Sequence, residues 1–366
     1  MDTVVHKVYY MPSLMKEKSK GEVYKMKAKK VSRIRTENRT ALQEVIPLET
    51  PFHIFLDPSA ACNFKCKFCF NRDKSKTFHK IMEYELFEKI ISDLKLFPDK
   101  LKVLRLYKEG EPLLNKNLPK MIYHAKKNDV CEKVDFTTNG SLLGIGKNKE
   151  LIDSGLDAII ISVQGINEKQ YYETSGIKID FEEYVKNIKN LYKNKGNCRI
   201  HIKTTDTNIS GLNEKKFYDI FGDICDEISI DNVAPIWPDL EIDTSKGEFE
   251  YGIYGNKIDN IHICPYIFYS LTINSDGSVS SCFLDWKHSN ILGNVNKHSF
   301  FQIWNSEEVF NIRKAHLKGN IDNYPICKNC GQLKYGMADN IDDYSEEILL
   351  NLERTSHKFK LENLNV

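Results

Sequence analysis

Three cysteines set the chemistry of this chain. In Pro58-Ser59-Ala60-Ala61-Cys62-Asn63-Phe64-Lys65-Cys66-Lys67-Phe68-Cys69 their spacing is C-x3-C-x2-C. Three thiolates on one short loop can each bind a corner iron of a cubane and leave the fourth iron without a protein ligand. An open iron can be chelated by the amino and carboxylate groups of an amino acid. A zinc site would want a fourth protein ligand nearby, and an electron-transfer ferredoxin a fourth cysteine. A second set, Cys264, Cys282, Cys327 and Cys330, supplies four thiolates and completes one site. Its spacing is compatible with zinc or with [4Fe–4S]. Seven of the ten cysteines fall into these groups, which points to metal ligation rather than disulfides. Cys131, Cys198 and Cys225 stand alone and read as small buried hydrophobes.

The elements that must position these groups alternate. His53–Leu56, Val103–Tyr107, Lys133–Thr137, Ala158–Val163, Arg199–Lys203 and Glu227–Ile230 read as strands. Tyr84–Leu96, Leu118–Lys127, Lys149–Ser154, Phe181–Tyr192 and Glu214–Phe221 read as the helices between them. Such alternation means a parallel sheet. Six units are fewer than the eight that close a barrel, so the α/β fold expected is a partial, TIM-like (β/α)6 barrel. A small C-terminal cysteine-bearing unit follows. Asp276-Gly277 marks a hairpin there, Phe301–Leu317 a helix, and Asp342–Lys360 a last helix. The domain boundaries expected are a basic N-terminal extension over 1–50, the barrel over 51–235, a linker over 236–263, the cysteine unit over 264–335 and a C-terminal helix over 336–366. The extension, with Lys27, Lys29, Lys30 and Arg39, reads as a solvated arm or cap.

The first cysteine loop resembles that of the radical S-adenosylmethionine (radical SAM) superfamily, including Phe68 before the last cysteine. Three further segments match in order. Glu109-Gly110-Glu111-Pro112 resembles the family's Gly-Gly-Glu-Pro motif, with Glu109 in place of the first glycine. Thr138-Asn139-Gly140 follows the third strand, and Ser162 ends the fourth. All lie at C-terminal strand ends, where βα barrels carry their chemistry. The resemblance implies that Cys62, Cys66 and Cys69 hold a [4Fe–4S] cluster to which SAM binds. It implies that Phe68 lies by the adenine, that Glu111 accepts from the SAM ammonium with Gly110 beside it, that Asn139 flanks the methionyl part and that Ser162 meets the ribose. The chemistry implied is reductive cleavage of SAM to a 5′-deoxyadenosyl radical that abstracts hydrogen from substrate.

The second set resembles the Twitch unit, the short form of the SPASM extension that follows such barrels. Leu292-Gly293-Asn294, Ile303-Trp304-Asn305, Arg313 and Cys327-Lys328-Asn329-Cys330 carry that likeness. No cysteine follows Cys330, so one auxiliary [4Fe–4S] cluster is implied, held by Cys264, Cys282, Cys327 and Cys330. The architecture is similar to that of the 2-deoxy-scyllo-inosamine dehydrogenase type, radical SAM alcohol oxidases with one auxiliary cluster. With no open iron, the auxiliary cluster would act by outer-sphere electron transfer.

Arg199, His201 and Lys203 share one strand face, and an inward orientation suits an anionic or hydroxylated ligand. Asp285, beside Cys282, or His201 could take a hydroxyl proton, so Asp285, His201 and Lys203 are the candidate catalytic residues. The first reading of function is oxidation or epimerisation of a small sugar- or cyclitol-like molecule. The second is a peptide maturase, acting on a ribosomal peptide. The third is a non-enzymatic iron–sulfur protein. A reductant such as flavodoxin or ferredoxin is the expected partner. A net charge of +1 does not imply nucleic acid. No apolar run is long enough to span a membrane, and Met1–Tyr10 has no signal-peptide core, so a cytoplasmic protein is expected.

Overall fold

The computed structural model describes residues 26–32, 39–73, 78–209, 211–238, 240 and 251–362. In chain order the strands are β1 (Lys29–Lys30), β2 (His53–Leu56), β3 (Leu101–Arg105), β4 (Cys131–Thr138), β5 (Ala158–Ser162), β6 (Arg199–Thr205), β7 (Glu227–Asp231), β8 (Thr272–Ile273), β9 (Ser278–Ser280) and β10 (Ile291–Asn294). The helices of the first part are α1 (Tyr84–Leu94), α2 (Leu118–Asn128), α3 (Ile145–Asp153), α4 (Glu168–Ser175), α5 (Phe181–Asn194) and α6 (Leu212–Phe221). Those of the second are α7 (Tyr266–Tyr269), α8 (Phe300–Trp304), α9 (Glu307–Leu317), α10 (Pro325–Lys328), α11 (Gln332–Tyr335) and α12 (Ser345–Glu362). The six strands β2 to β7 lie parallel in sequence order, as the alternation predicts for a partial barrel.

Side-chain period explains the layers. On β6, Ile200 and Ile202 join the core with Ile188 and Phe217, so Arg199, His201 and Lys203 face the barrel interior. Helix α5 buries Tyr184, Ile188 and Leu191, one stripe at four- and three-residue steps. Its start is fixed by Asp180, whose carboxylate accepts the Glu183 amide at 2.9 Å.

The cysteine-bearing unit is not a separate sheet. Strand β8 pairs parallel to β2, Phe55 opposite Thr272, and carries the antiparallel β8–β9–β10 hairpin series as an extension of the barrel sheet. At the other edge β1 pairs with β7.

Three expectations need correcting or narrowing. Of the two readings of the basic N-terminal stretch, the described part fits a cap and not a solvated arm. Lys29 and Lys30 pair with Glu227 and Ile228, and Leu42 and Ile46 bury among Ile263, Ile267, Phe268, Ile348 and Leu352. Apolar residues among the basic ones make that packing favourable. Residues 1–25 and 33–38 of that stretch, and 241–250 of the linker, lie outside the described residues. The single helix expected over Phe301–Leu317 breaks into α8 and α9, because the Ser306 side chain caps a new start by accepting the Val309 amide at 3.3 Å. Helix α4 was not expected. Asn167 caps it, accepting the Gln170 amide at 2.9 Å, an N-cap signal present in Asn167-Glu168.

Candidate active site

The three-cysteine loop leaves β2 and is braced from two sides. The Lys65 and Lys67 amides donate to the Ser175 and Thr174 carbonyls at the end of α4, at 2.8 and 3.0 Å. On the other side Asn139 Nδ2 donates to Asn63 Oδ1 at 2.8 Å, and Asn63 Nδ2 to Ser141 Oγ at 2.9 Å. Backbone amides point at the sulfurs. Phe64 N lies 3.5 Å from Cys62 Sγ, and Asn71 N lies 3.4 Å from Cys69 Sγ. N–H···S contacts of this kind favour the thiolate.

A cavity of about 190 Å³ opens over this loop. Cys62, Cys66, Phe68 and Cys69 form one wall. Gly110, Glu111, Asn139, Ser162 and Lys203 come from the ends of four further strands to form the rest. The residues expected to bind cofactor are thus brought together. Gly110 is needed for the approach: a Cβ there would meet the Ala61 and Ser59 carbonyl oxygens at 2.1 and 2.2 Å. The Glu111 amide donates to Ala61 O at 2.8 Å, stitching the two loops.

The buried Glu111 carboxylate accepts from Thr138 Oγ1, the Asn139 amide and the Leu113 amide. Burial pushes its pKa up to about 7, against these hydrogen bonds. Three donors leave acceptor capacity for one more, so an ammonium in the cavity can still be met.

The second cysteine set also converges. Each of its thiols is raised by burial, and Cys264, Cys282 and Cys327 further by the other cysteines. For Cys330, burial alone does so, to about 11. Leu284 N and Gln332 N each lie 3.4 Å from Cys282 Sγ and Cys330 Sγ, and Asn290 Nδ2 lies 3.5 Å from Cys327 Sγ. Buried thiols that repel one another as thiolates, yet receive N–H donors, form a donor set that a cationic cluster would suit. Cys131, Cys198 and Cys225 are buried thiols with pKa values pushed up to about 12, as expected of packing residues.

The candidate catalytic residues separate. Lys203 lines the cavity and lies 3.4 Å from Asp231 Oδ2. His201 sits one inward position deeper, with Nε2 3.0 Å from Ser229 Oγ. Asp285 is not in the cavity. It is fully buried, and its two carboxylate oxygens accept the Ser289 and Asn290 amides at 2.8 and 2.9 Å. It shapes the loop after Cys282, so a base role for it is withdrawn. Asp231 and Ser229, which pair with Lys203 and His201, escaped the sequence reading. The two-residue period of Glu227, Ser229 and Asp231 is the signal that could have found them.

Two family models match the chain. The Radical SAM superfamily model spans residues 56–224, and SPASM, an iron–sulfur cluster-binding domain, spans residues 264–331. The chain carries a radical SAM domain followed by a SPASM domain. Among radical SAM relatives it is 25% identical over 319 residues to the tungsten-containing aldehyde ferredoxin oxidoreductase cofactor-modifying protein of Pyrococcus furiosus, covering 76% of this chain and 86% of that one. It is 33% identical over 126 residues to a probable GTP 3′,8-cyclase of Methanococcus vannielii, 34% of this chain and only 40% of that relative's length. Solved radical SAM structures share the fold. BtrN, in complex with AdoMet and 2-DOIA, superposes with a TM-score of 0.50 at 18% identity, covering 80% of this chain and 97% of that one. SuiB of Streptococcus suis, bound to the precursor peptide SuiA, gives 0.55 at 16% identity, covering 74% and 68%.

A radical SAM barrel followed by a SPASM domain implies a SAM-binding [4Fe–4S] cluster, auxiliary cluster chemistry and SAM itself. The residues present fit both groups: three thiols beside a cavity with an available carboxylate, and four buried thiols that act on one another and receive N–H donors. Among the described residues, no helix of this radical SAM enzyme is long and apolar enough to cross a membrane.

Proposed function

We propose that this enzyme abstracts hydrogen from a small hydroxylated molecule, sugar- or cyclitol-like, and oxidises or epimerises it. Cys62, Cys66 and Cys69 are the proposed ligands of the SAM-binding cluster, and Cys264, Cys282, Cys327 and Cys330 those of one auxiliary cluster. When bound, the first cluster and SAM supply the hydrogen-abstracting radical chemistry. Glu111 receives the SAM ammonium, and Phe68, Asn139 and Ser162 enclose the cofactor. Lys203, held by Asp231, orients a substrate hydroxyl, and His201 lies one inward position behind it as a group able to take up a proton. Four cysteines leave no ligand position for substrate, so a role at the second site is outer-sphere electron transfer. A flavodoxin or ferredoxin is the proposed electron donor.

One observation carries the small-molecule reading. Thr137 Oγ1 and Gln164 Oε1 belong to residues that line the cavity, are buried, and have no hydrogen-bond partner among the described residues. Buried polar atoms left unpaired are costly, and hydroxyls relieve that cost, those of the SAM ribose or those of a substrate beside it. The fold shared with BtrN, solved with AdoMet and 2-DOIA, fits this reading. The test uses the anaerobically reconstituted enzyme with sugars and cyclitols deuterated at each carbon. Deuterium in 5′-deoxyadenosine supports the assignment. Deuterium transfer from a labelled peptide alone replaces it with peptide maturation.

A further inference from the structure

Glu109 stands where the resembling motif carries glycine, and its surroundings give the substitution a purpose. Its buried carboxylate accepts from Lys108 Nζ at 2.5 Å and lies 2.8 Å from His288 Nε2. The His288 ring is stacked on Phe78 with centroids 3.9 Å apart. Lys108, whose side chain is fully buried, also donates to Asn274 Oδ1 at 2.6 Å and to the Asp285 carbonyl at 3.0 Å. Burial opposes ionisation of Glu109, yet the Lys108 ammonium and His288 hold its carboxyl below the usual range.

The contacts run to both cysteine sites. The Glu109 carbonyl accepts Asn71 Nδ2 at 3.1 Å, and the Asn71 amide reaches Cys69 Sγ. On the far side, the Asp285 carboxylate receives the Asn290 amide, and Asn290 Nδ2 reaches Cys327 Sγ. One residue therefore touches the loop of the first site through its backbone and the loop of the second through its side chain.

We propose that Glu109 is a positioning residue that locks the auxiliary cysteine unit onto the barrel mouth and so sets the separation of the two clusters. This rests on the reading that both cysteine sets hold clusters. A glycine keeps the carbonyl contact to Asn71 but gives Lys108 and His288 no carboxylate. Lys108 then loses the carboxylate it touches, with Asp57 the remaining acid acting on it, and the 285–288 loop loses its tie to the barrel mouth.

The test compares the full reconstituted chain with its Glu109→Gly variant by two readouts. The first is the magnetic interaction between the two reduced clusters in EPR. The second is amide exchange over 283–290. The variant is expected to keep wild-type iron content, to weaken the intercluster interaction and to exchange that segment about tenfold faster. Glu109→Gln, which keeps the shape without the charge, should fall between. If Glu109→Gly loses iron, His288→Gln and Lys108→Met are read instead, and both should shift the two signals in the same direction. A wild-type chain with one cluster overturns the underlying reading. Two clusters in the wild type, with interaction and exchange unmoved in the variants, overturn the lock alone.

Discussion

The Thr138 hydroxyl donates to Glu111 Oε1 at 2.6 Å, tying the loop after β4 to the carboxylate proposed to meet SAM. Burial has raised that carboxyl to about 7, so below that pH it is protonated before SAM arrives. An ammonium favours the ionised form, and binding must then expel the proton. SAM affinity should rise by up to about tenfold per pH unit below pH 7 and level off above it. Calorimetric titration of the reconstituted protein reads this directly. Glu111→Gln should bind weakly with no such slope, and a flat wild-type profile would remove Glu111 from the contact.

Asp57 follows β2 as a buried acid raised from 3.8 to about 7, by burial first and by Glu109 second. A folded-state pKa above the unfolded one means that the folded chain holds the proton more tightly. The stabilisation is therefore complete below about pH 4 and is lost as pH rises through about 7. Asp57→Asn should raise the midpoint of thermal unfolding more at pH 8 than at pH 5, where the native group is largely neutral already. Equal shifts at both pH values would show that Asp57 does not titrate in this window.

Gly110→Ala places a methyl against two backbone carbonyls that cannot move aside. The cost should reach or exceed the upper end of the about 1–3 kcal/mol typical of overpacking. Because Ala61 precedes Cys62, iron at the first site should fall too. Gly144 provides the contrast: a Cβ there meets nothing within 4 Å, and its backbone is extended. Gly144→Ala should melt with the wild type. Iron content and thermal unfolding of the two variants decide the matter.

The two cysteine sets should be separable. Cys69→Ala should lose about four irons and all 5′-deoxyadenosine formation, while Cys282→Ala should lose about four irons and keep the SAM-induced EPR change of the first cluster. A Cys282→Ala protein with undiminished iron would show that the second set does not hold a cluster.

The strands and most helices were legible because periodicity is a local property. The inward face of β6 could be read from Arg199, His201 and Lys203, and the structure places all three there. Asp285 was misread for a physical reason. Closeness to Cys282 in the chain says nothing of where its oxygens point, and each accepts an amide of the following turn rather than facing the cavity. The basic N-terminal stretch stayed open between arm and cap in the same way, since charge was visible and the partners of Leu42 and Ile46 were not.

What the chain determined by itself is whatever depends on neighbours in sequence: three thiols on one loop, four more in a second set, and six βα repeats. What tertiary structure decided depends on segments far apart. Glu109 meets His288 across 179 positions, and Lys108 meets Asn274 across 166. Those contacts exist only because β8 lays itself beside β2, bringing the second cysteine unit to the mouth of the barrel. Strand pairing at that distance is chosen by the packing of the whole core, and no local spacing encodes it.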